Sequence, residues 1–287
     1  MPPGGAGGGP DMPFQPVLPL SGYAGWAFLD RTLAAQKAAL AGTAEARRDD
    51  AYFREKIGSV KTAEQLVGDR RLLKVALTAF GLEADIDSRA FIRKVLEDGT
   101  LNPGALANRL ADRRYAEFSR AFGFGDFTSP ATQLSDFADN ILARYRDKTF
   151  EAAVGAQNGS YRLALNAQSE LPAIAGKANS DAAKWYTVLG SRPLREVFQT
   201  ALVLPASFAL IDVDKQRQVL ADKAAAVLKI DSPAAFTDPA NVDRLVRLYL
   251  LRADASASGG TAGPGTAALA LLSRGQQSLA ALVRGGR

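Results

Sequence analysis

The chain has 287 residues, 47% hydrophobic and 23% charged, enough to bury one large core or two small ones and too apolar for global disorder. It contains no cysteine and no histidine, which excludes Ser-His-Asp and Cys-His nucleophiles, imidazole acid–base chemistry, zinc sites on those ligands, histidine-ligated haem and disulfide frameworks. Of the net charge of +5, residues 255–287 supply +3 through Arg274, Arg284 and Arg287 with no acid, leaving the body at only +2, a poor footprint for a nucleic-acid partner.

Residues 1–20 are rich in Gly and Pro and are expected to be a disordered leader that does not pack, with Met12 as the true start. The leader has no basic n-region and no apolar h-region, so no cleavable secretory signal is expected. Residues 21–254 read as one helical domain. Trp26, Leu29 and Leu33 form a first seam; Thr62-Ala63-Glu64-Gln65 is a capping box; Leu72, Leu73, Ala76, Leu77 and Phe80 recur at the helical period, as do Phe91, Ile92, Val95 and Leu96. Tyr115, Phe118 and Phe122 continue the pattern, then Phe137, Ile141, Leu142 and Tyr145, and later Trp185, Val188 and Leu189. Asn102-Pro103, Ser129-Pro130, Ser232-Pro233 and Asp238-Pro239 predict helix starts, and Gly58, Gly81, Gly99, Gly123 and Gly190 predict left-handed helix ends. Asn158-Gly159-Ser160 reads as a turn capping the next helix. No segment alternates with period two, so the fold class is all-α, a bundle of roughly ten or more helices.

Val197–Ile211 is the most apolar stretch, but Gln199, Thr200 and Pro205 interrupt it and it falls short of the roughly 18 residues of a span, so no membrane insertion is expected. Residues 255–265 read as a flexible linker and 266–287 as a C-terminal amphipathic helix, striped by Leu269, Leu272, Leu279, Leu282 and Val283 and broken by Gly275. LLKVALTAFGL (72–82) and LREVFQTALVL (194–204) echo one another at an offset of 122, and Arg93, Val95 and Leu96 match Arg217, Val219 and Leu220 at 124. The order of elements repeats too, which favours an internal duplication, with halves at about 60–125 and 181–253, over the general likeness of amphipathic helices.

Candidate chemistry is thin. Gly176-Lys177 lacks the rest of a phosphate loop and Gly123-Phe124-Gly125 lacks the third glycine of a dinucleotide fingerprint, so no cofactor is expected. The acid pairs Asp85/Asp87, Asp136/Asp139 and Asp212/Asp214 read as helix caps rather than as a carboxylate hydrolase, which would need a deep pocket with two acids of divergent pKa. No residue is therefore nominated as catalytic, cofactor-binding or metal-ligating. Phe122, Phe124 and Phe127, in the FGFGDF turn, and the C-terminal helix are the candidate contact surfaces.

The runs Phe14-Gln15-Pro16-Val17 and Pro19-Leu20-Ser21-Gly22-Tyr23-Ala24-Gly25-Trp26, with the longer motifs at 62–101, 105–126 and 162–171, resemble an uncharacterised alphaproteobacterial family, a domain of unknown function whose members tend to be encoded in flagellar gene clusters. The resemblance implies a helical, non-enzymatic, flagellum-associated structural or assembly protein whose partners are other flagellar proteins or further copies of itself. The alternative is a cytoplasmic chaperone or regulator of flagellar export substrates. The lack of cysteine agrees with passage through a narrow export channel, where free thiols could cross-link.

Overall fold

Helix ends are set by side chains that capture the backbone N–H groups left over in the first turn. Thr62 accepts from the Gln65 N–H at 3.2 Å while Gln65 Oε1 accepts from the Thr62 N–H at 3.2 Å, the reciprocal box that the sequence predicts. Asp69 caps the next helix through the Arg71 and Leu72 N–H groups at 2.9 and 3.0 Å, and Asn158 Oδ1 accepts from the Tyr161 N–H at 3.1 Å. A computed structural model describes residues 14–258. Over that span the protein is all-α, with thirteen α-helices, short 3-10 turns and no strand.

The helices are α1 (Gly22–Ala41), α2 (Ala44–Ile57), α3 (Ala63–Gly68), α4 (Arg70–Ala79), α5 (Arg89–Asp98), α6 (Leu106–Arg109), α7 (Arg114–Phe122), α8 (Phe137–Gln157), α9 (Gly159–Ala175), α10 (Asp181–Gly190), α11 (Arg192–Ala201), α12 (Val213–Leu228) and α13 (Pro239–Ser258). Their stripes bury two large apolar clusters. The first joins α2–α5, α7 and the first half of α8, with Phe118 set 5.4 Å from Phe80 and 5.0 Å from Phe122, ring to ring. The second joins α1, the last half of α8 and α9–α13, where Phe198 lies edge-on to Trp185 and Phe236 at 5.8 and 5.7 Å.

Several boundaries differ from the sequence reading. Of the four X-Pro signals only Asp238-Pro239 opens an α-helix; Ser129-Pro130 and Ser232-Pro233 open 3-10 turns, and Asn102-Pro103 opens a turn ahead of α6, because the fixed φ of proline suits any of these starts. Gly81, Gly99 and Gly123 are left-handed as expected, whereas Gly58 keeps a helical φ of −62° and Gly190 is the last residue of α10. The linker expected from Ala255 does not begin there. Ala255–Ser258, with two alanines to favour it, continues α13, and the rest of the linker and the C-terminal segment lie outside the described residues.

The largest correction is at the N-terminus. Residues 14–20, expected to pack against nothing, form a strap across α1, α8 and α9. Phe14 sits 6.0 Å from the Phe150 ring, and Pro16 is buried. Gln36 brackets Val17, accepting from its N–H at 2.8 Å and donating to its carbonyl at 3.2 Å, and Gln157 donates to the Pro16 carbonyl at 2.9 Å. Tyr161 closes the strap, its hydroxyl within 2.7 Å of the Gly22 carbonyl and 3.2 Å of the Leu20 carbonyl. Prolines lower the entropy of ordering such a segment, and buried Gln36 and exposed Gln157 satisfy its extended backbone. The earlier part of the leader, Met12 included, lies outside the described residues.

The α4 and α11 ends repeat one another in backbone detail. Leu82 donates to the Leu77 carbonyl at 2.9 Å and Leu204 to the Gln199 carbonyl at 2.9 Å; the intervening residues, Gly81 and Val203, have φ of +68° and +52°. Arg114 of α7 donates to the Gly81 carbonyl, and Arg252 of α13 donates to the Ala201 carbonyl.

One polar knot lies between α2, α4 and α8. Asp49, only 6% exposed, accepts from Arg71 at 3.1 Å, Lys74 at 3.2 Å and the Tyr145 hydroxyl at 2.9 Å. Burial pushes the Asp49 carboxyl up, but the Tyr145, Lys74 and Arg71 hydrogen bonds outweigh it and hold it below the usual range. Burial and the same carboxylate push Tyr145 well up.

Two predictions follow from this packing. A Cβ on Gly25 would overlap the Tyr161 hydroxyl and stand 2.6 Å from the Leu20 carbonyl carbon, so Gly25→Ala should cost about 3 kcal/mol and expose the strap to protease, while Tyr161→Phe costs about 1 kcal/mol; equal denaturation midpoints for Gly25→Ala and the native chain would contradict this. Asp49→Asn should cost about 1–3 kcal/mol at neutral pH, discounted because Arg71 and Lys74 stay half-exposed. Because the folded Asp49 pKa lies below its unfolded value, its contribution is present above that unfolded value near 3.8 and is lost as pH falls through the folded one, so the variant should show a shallower acid limb in urea titrations.

Candidate interaction surfaces

The FGFGDF turn distributes its aromatic side chains by the local backbone. Phe122 ends α7 fully buried, 5.1 Å from Phe137, and is core rather than surface. Gly123 turns the chain left-handed, and half-buried Phe124 rests on Phe122 at 5.7 Å. A Cβ on Gly125 would lie 2.5 Å from the Gly99 nitrogen, so only glycine lets this turn lock against the one after α5. Asp126 fastens the pair, accepting from the Thr100 N–H at 2.6 Å, the Thr100 hydroxyl at 2.9 Å and the Leu101 N–H at 2.9 Å. Burial pushes its carboxyl up, yet those bonds bring it below the ordinary value. Of the three nominated phenylalanines only Phe127, 59% exposed, offers a surface, together with Leu101 at 70%.

A second exposed region was missed from sequence. Between α11 and α12 the chain runs through Val203, 69% exposed, Leu210 at 86%, Ile211 and Val213, while Phe208 anchors the loop in the core. In sequence the stretch reads as an apolar run too interrupted to span a membrane and, up to residue 204, as one arm of the internal echo. Its signal was the pile-up of apolar residues around Pro205 and outside any helical period. Val203 adds a conformational oddity: a β-branched residue at φ +52° is strained, and its side chain gains little packing in return.

The paired acids separate into unrelated tasks. Asp85 accepts from the Tyr115 hydroxyl at 2.7 Å, whose pKa burial and that carboxylate push up to about 12. Asp87 pairs with Arg70 at 2.7 Å, Asp136 accepts from Asn140 at 3.0 Å, and Asp139 pairs with Arg54. Asp212 caps α12 through the Asp214 N–H at 2.9 Å, as read from sequence, and Asp214 accepts from the Tyr186 hydroxyl. None of these acids lines the crevice between α1, α8, α9 and α13.

Three other acids do. A crevice of about 400 Å³ between α1, α8, α9 and α13 has Leu33, Phe150 and Leu165 as its floor and Asp147, Glu151 and Asp243 on its walls. Asp147 pairs with Lys37 at 2.8 Å and Glu151 with Lys148 at 2.9 Å. Burial pushes Glu151 up against the pull of Lys148; burial and then Asp30 push Asp243 up. Both move the same way, whereas an acid and nucleophile pair needs them driven apart. Among the described residues no three Asp or Glu side chains are grouped as metal ligands, and no helix is long and apolar enough to cross a membrane.

No curated protein matches the chain. The crystal structure of protein AGR_C_984 from Agrobacterium tumefaciens, an alphaproteobacterial protein, is similar to it with a TM-score of 0.67 and 28% identity, covering 83% of this chain and 97% of that one. The profile of a family described as proteins of unknown function, DUF1217, matches residues 79–242, and the chain belongs to that family.

Proposed function

We propose that the protein is a non-enzymatic structural or assembly component associated with the bacterial flagellum, acting through helix-mediated contacts with other flagellar proteins or with itself. The flagellar setting rests on the resemblance of the long sequence motifs. The observation that carries the mode of action is the α11–α12 corner, where Val203, Leu210, Ile211 and Val213 present apolar side chains to solvent, Val203 from a strained backbone. A monomer gains nothing from keeping valine at +52° with its side chain in water, so the side chain is best explained by a partner. The absence of catalysis is part of the same reading: the paired acids are engaged as caps and in ion pairs. The adjacent arginines Arg70-Arg71 and Arg113-Arg114 give little to nucleic acid, since Arg70, Arg71 and Arg114 are paired with Asp87, Asp49 and Asp112.

We also infer that the two halves arose by duplication, supported by the matching α4 and α11 ends. Superposition of residues 70–98 on 192–222, allowing the two-residue insertion, tests this. Divergent helix directions after the first turn would refute it.

Deleting the gene should alter motility or basal-body composition, and a tagged copy should co-purify with detergent-washed basal bodies. A copy that stays soluble and bound to an export substrate would replace this reading with the chaperone one, and unchanged motility and basal bodies would end both. A chain ending at Ser258, which keeps Asp254 beside Gly22, should fold with nearly native thermal stability yet lose its partners. Val203→Gly should raise stability by about 1 kcal/mol by relieving the left-handed strain, while weakening co-purification.

A further inference from the structure

We propose that the crevice between α1, α8, α9 and α13 binds an organic cation, an ammonium or guanidinium head on an aliphatic stem. The proposal uses neither the flagellar setting nor the α11–α12 corner. At about 400 Å³ the crevice falls within the size range of small-ligand pockets. Leu33, Leu165, Pro172, Pro239 and Val242 give it apolar walls, and a stem laid against them leaves water. A bare divalent ion fits poorly, because it needs a full oxygen shell that these walls do not supply.

The charge of the crevice is uneven, and that selects the ligand. On the α8 side each acid has a lysine partner, Asp147 with Lys37 at 2.8 Å and Glu151 with Lys148 at 2.9 Å. Where α1, α9 and α13 meet, the balance is missing. Asp243 of α13 hydrogen-bonds Gln168 of α9, which also donates to Asp30 of α1 at 2.9 Å, so one uncharged amide stands between two carboxylates. Neither Asp243 nor Asp30 has a lysine or arginine partner among the described residues. Burial and then Asp30 push the Asp243 carboxyl up, as expected of an acid that lacks a cation. A guanidinium or ammonium seated beside Gln168 turns that repulsion into charge-assisted hydrogen bonds while its stem covers the apolar walls. An anion is repelled there, and a neutral ligand leaves the two carboxylates facing each other.

The test is a methyl NMR titration of the full-length protein with n-butylguanidinium, its neutral isostere n-butylurea and the peptide acetyl-Gly-Arg-Gly-amide. The guanidinium should shift the Leu33, Leu165 and Val242 methyls and bind about tenfold or more tighter than the urea. Asp243→Asn, at an exposed position, should weaken it about tenfold while leaving the denaturation midpoint equal to or above the native one, because a carboxylate held above its usual pKa costs stability when ionised. A merely structural aspartate would lower the midpoint instead. Asp30→Asn, also exposed, should weaken binding too and keeps the test decisive if the first variant misfolds. A peptide bound at least as tightly as the free guanidinium assigns the head to an arginine of a protein partner; one bound more weakly or excluded assigns it to a free organic cation. Equal affinity for guanidinium and urea, shifts confined to other methyls, or native affinity in both variants would overturn the proposal and leave the flagellar reading untouched.

Discussion

One helix holds the two cores together. α8 is 21 residues long, about 30 Å, and its apolar stripe is divided: Phe137, Ile141, Leu142 and Tyr145 belong to the first cluster, Phe150 and Val154 to the second. A helix shared in this way cannot rotate to suit one core without unseating the other, so its register fixes both. The polar contacts on its flank pin that register. Tyr145 reaches Asp49, Arg146 pairs with Asp50 at 2.7 Å, and Asp147 with Lys37 at 2.8 Å, tying α8 to α2 and α1. Glu151 is the exception, since burial raises its carboxyl and its ionised form costs stability at neutral pH. Its pairing with Lys148 limits that cost without removing it.

The strap depends on the same helix and links the start of the chain to its end. Phe14 rests on Phe150 and Gln157 holds Pro16, both from α8, while Tyr161 at the start of α9 holds Leu20 and Gly22. Gly22 in turn lies against Asp254 of α13, and Arg247 of α13 lies 5.2 Å from the Tyr23 ring centroid. The motif Ser21-Gly22-Tyr23-Ala24-Gly25-Trp26 is thus a junction at which α1, α9, α13 and the strap meet. Its two glycines are where backbone and side chains come too close for a Cβ.

The helical stripes and the Thr62 box were legible because they are local: period and capping chemistry are written in consecutive residues. The strap was not, because its partners, Gln36, Gln157 and Tyr161, are far along the chain and composition alone reads Pro and Gly as disorder. Phe122 and Phe127 looked alike in sequence and differ only through Gly123, whose left-handed turn sends one ring inward and leaves the other out. The α11–α12 corner misleads for the opposite reason. An apolar run normally means burial, and only the fold shows that Phe208 takes the buried place while, among the described residues, Val203, Leu210, Ile211 and Val213 stay exposed.

That corner and its counterpart at the end of α4 form a natural control. The two helices finish with the same hydrogen bond, from Leu82 to Leu77 and from Leu204 to Gln199, and each has an arginine from a later helix near its end, Arg114 on the Gly81 carbonyl just past α4 and Arg252 on the Ala201 carbonyl that closes α11. At the residue that must turn left-handed, α4 has Gly81, which takes the angle without strain, and α11 has Val203, which does not. Packing does not explain the difference, since Val203 is 69% exposed. A side chain kept in a strained conformation and in water is what separates these two otherwise matching helix ends, and the proposed contact at the α11–α12 corner rests on it.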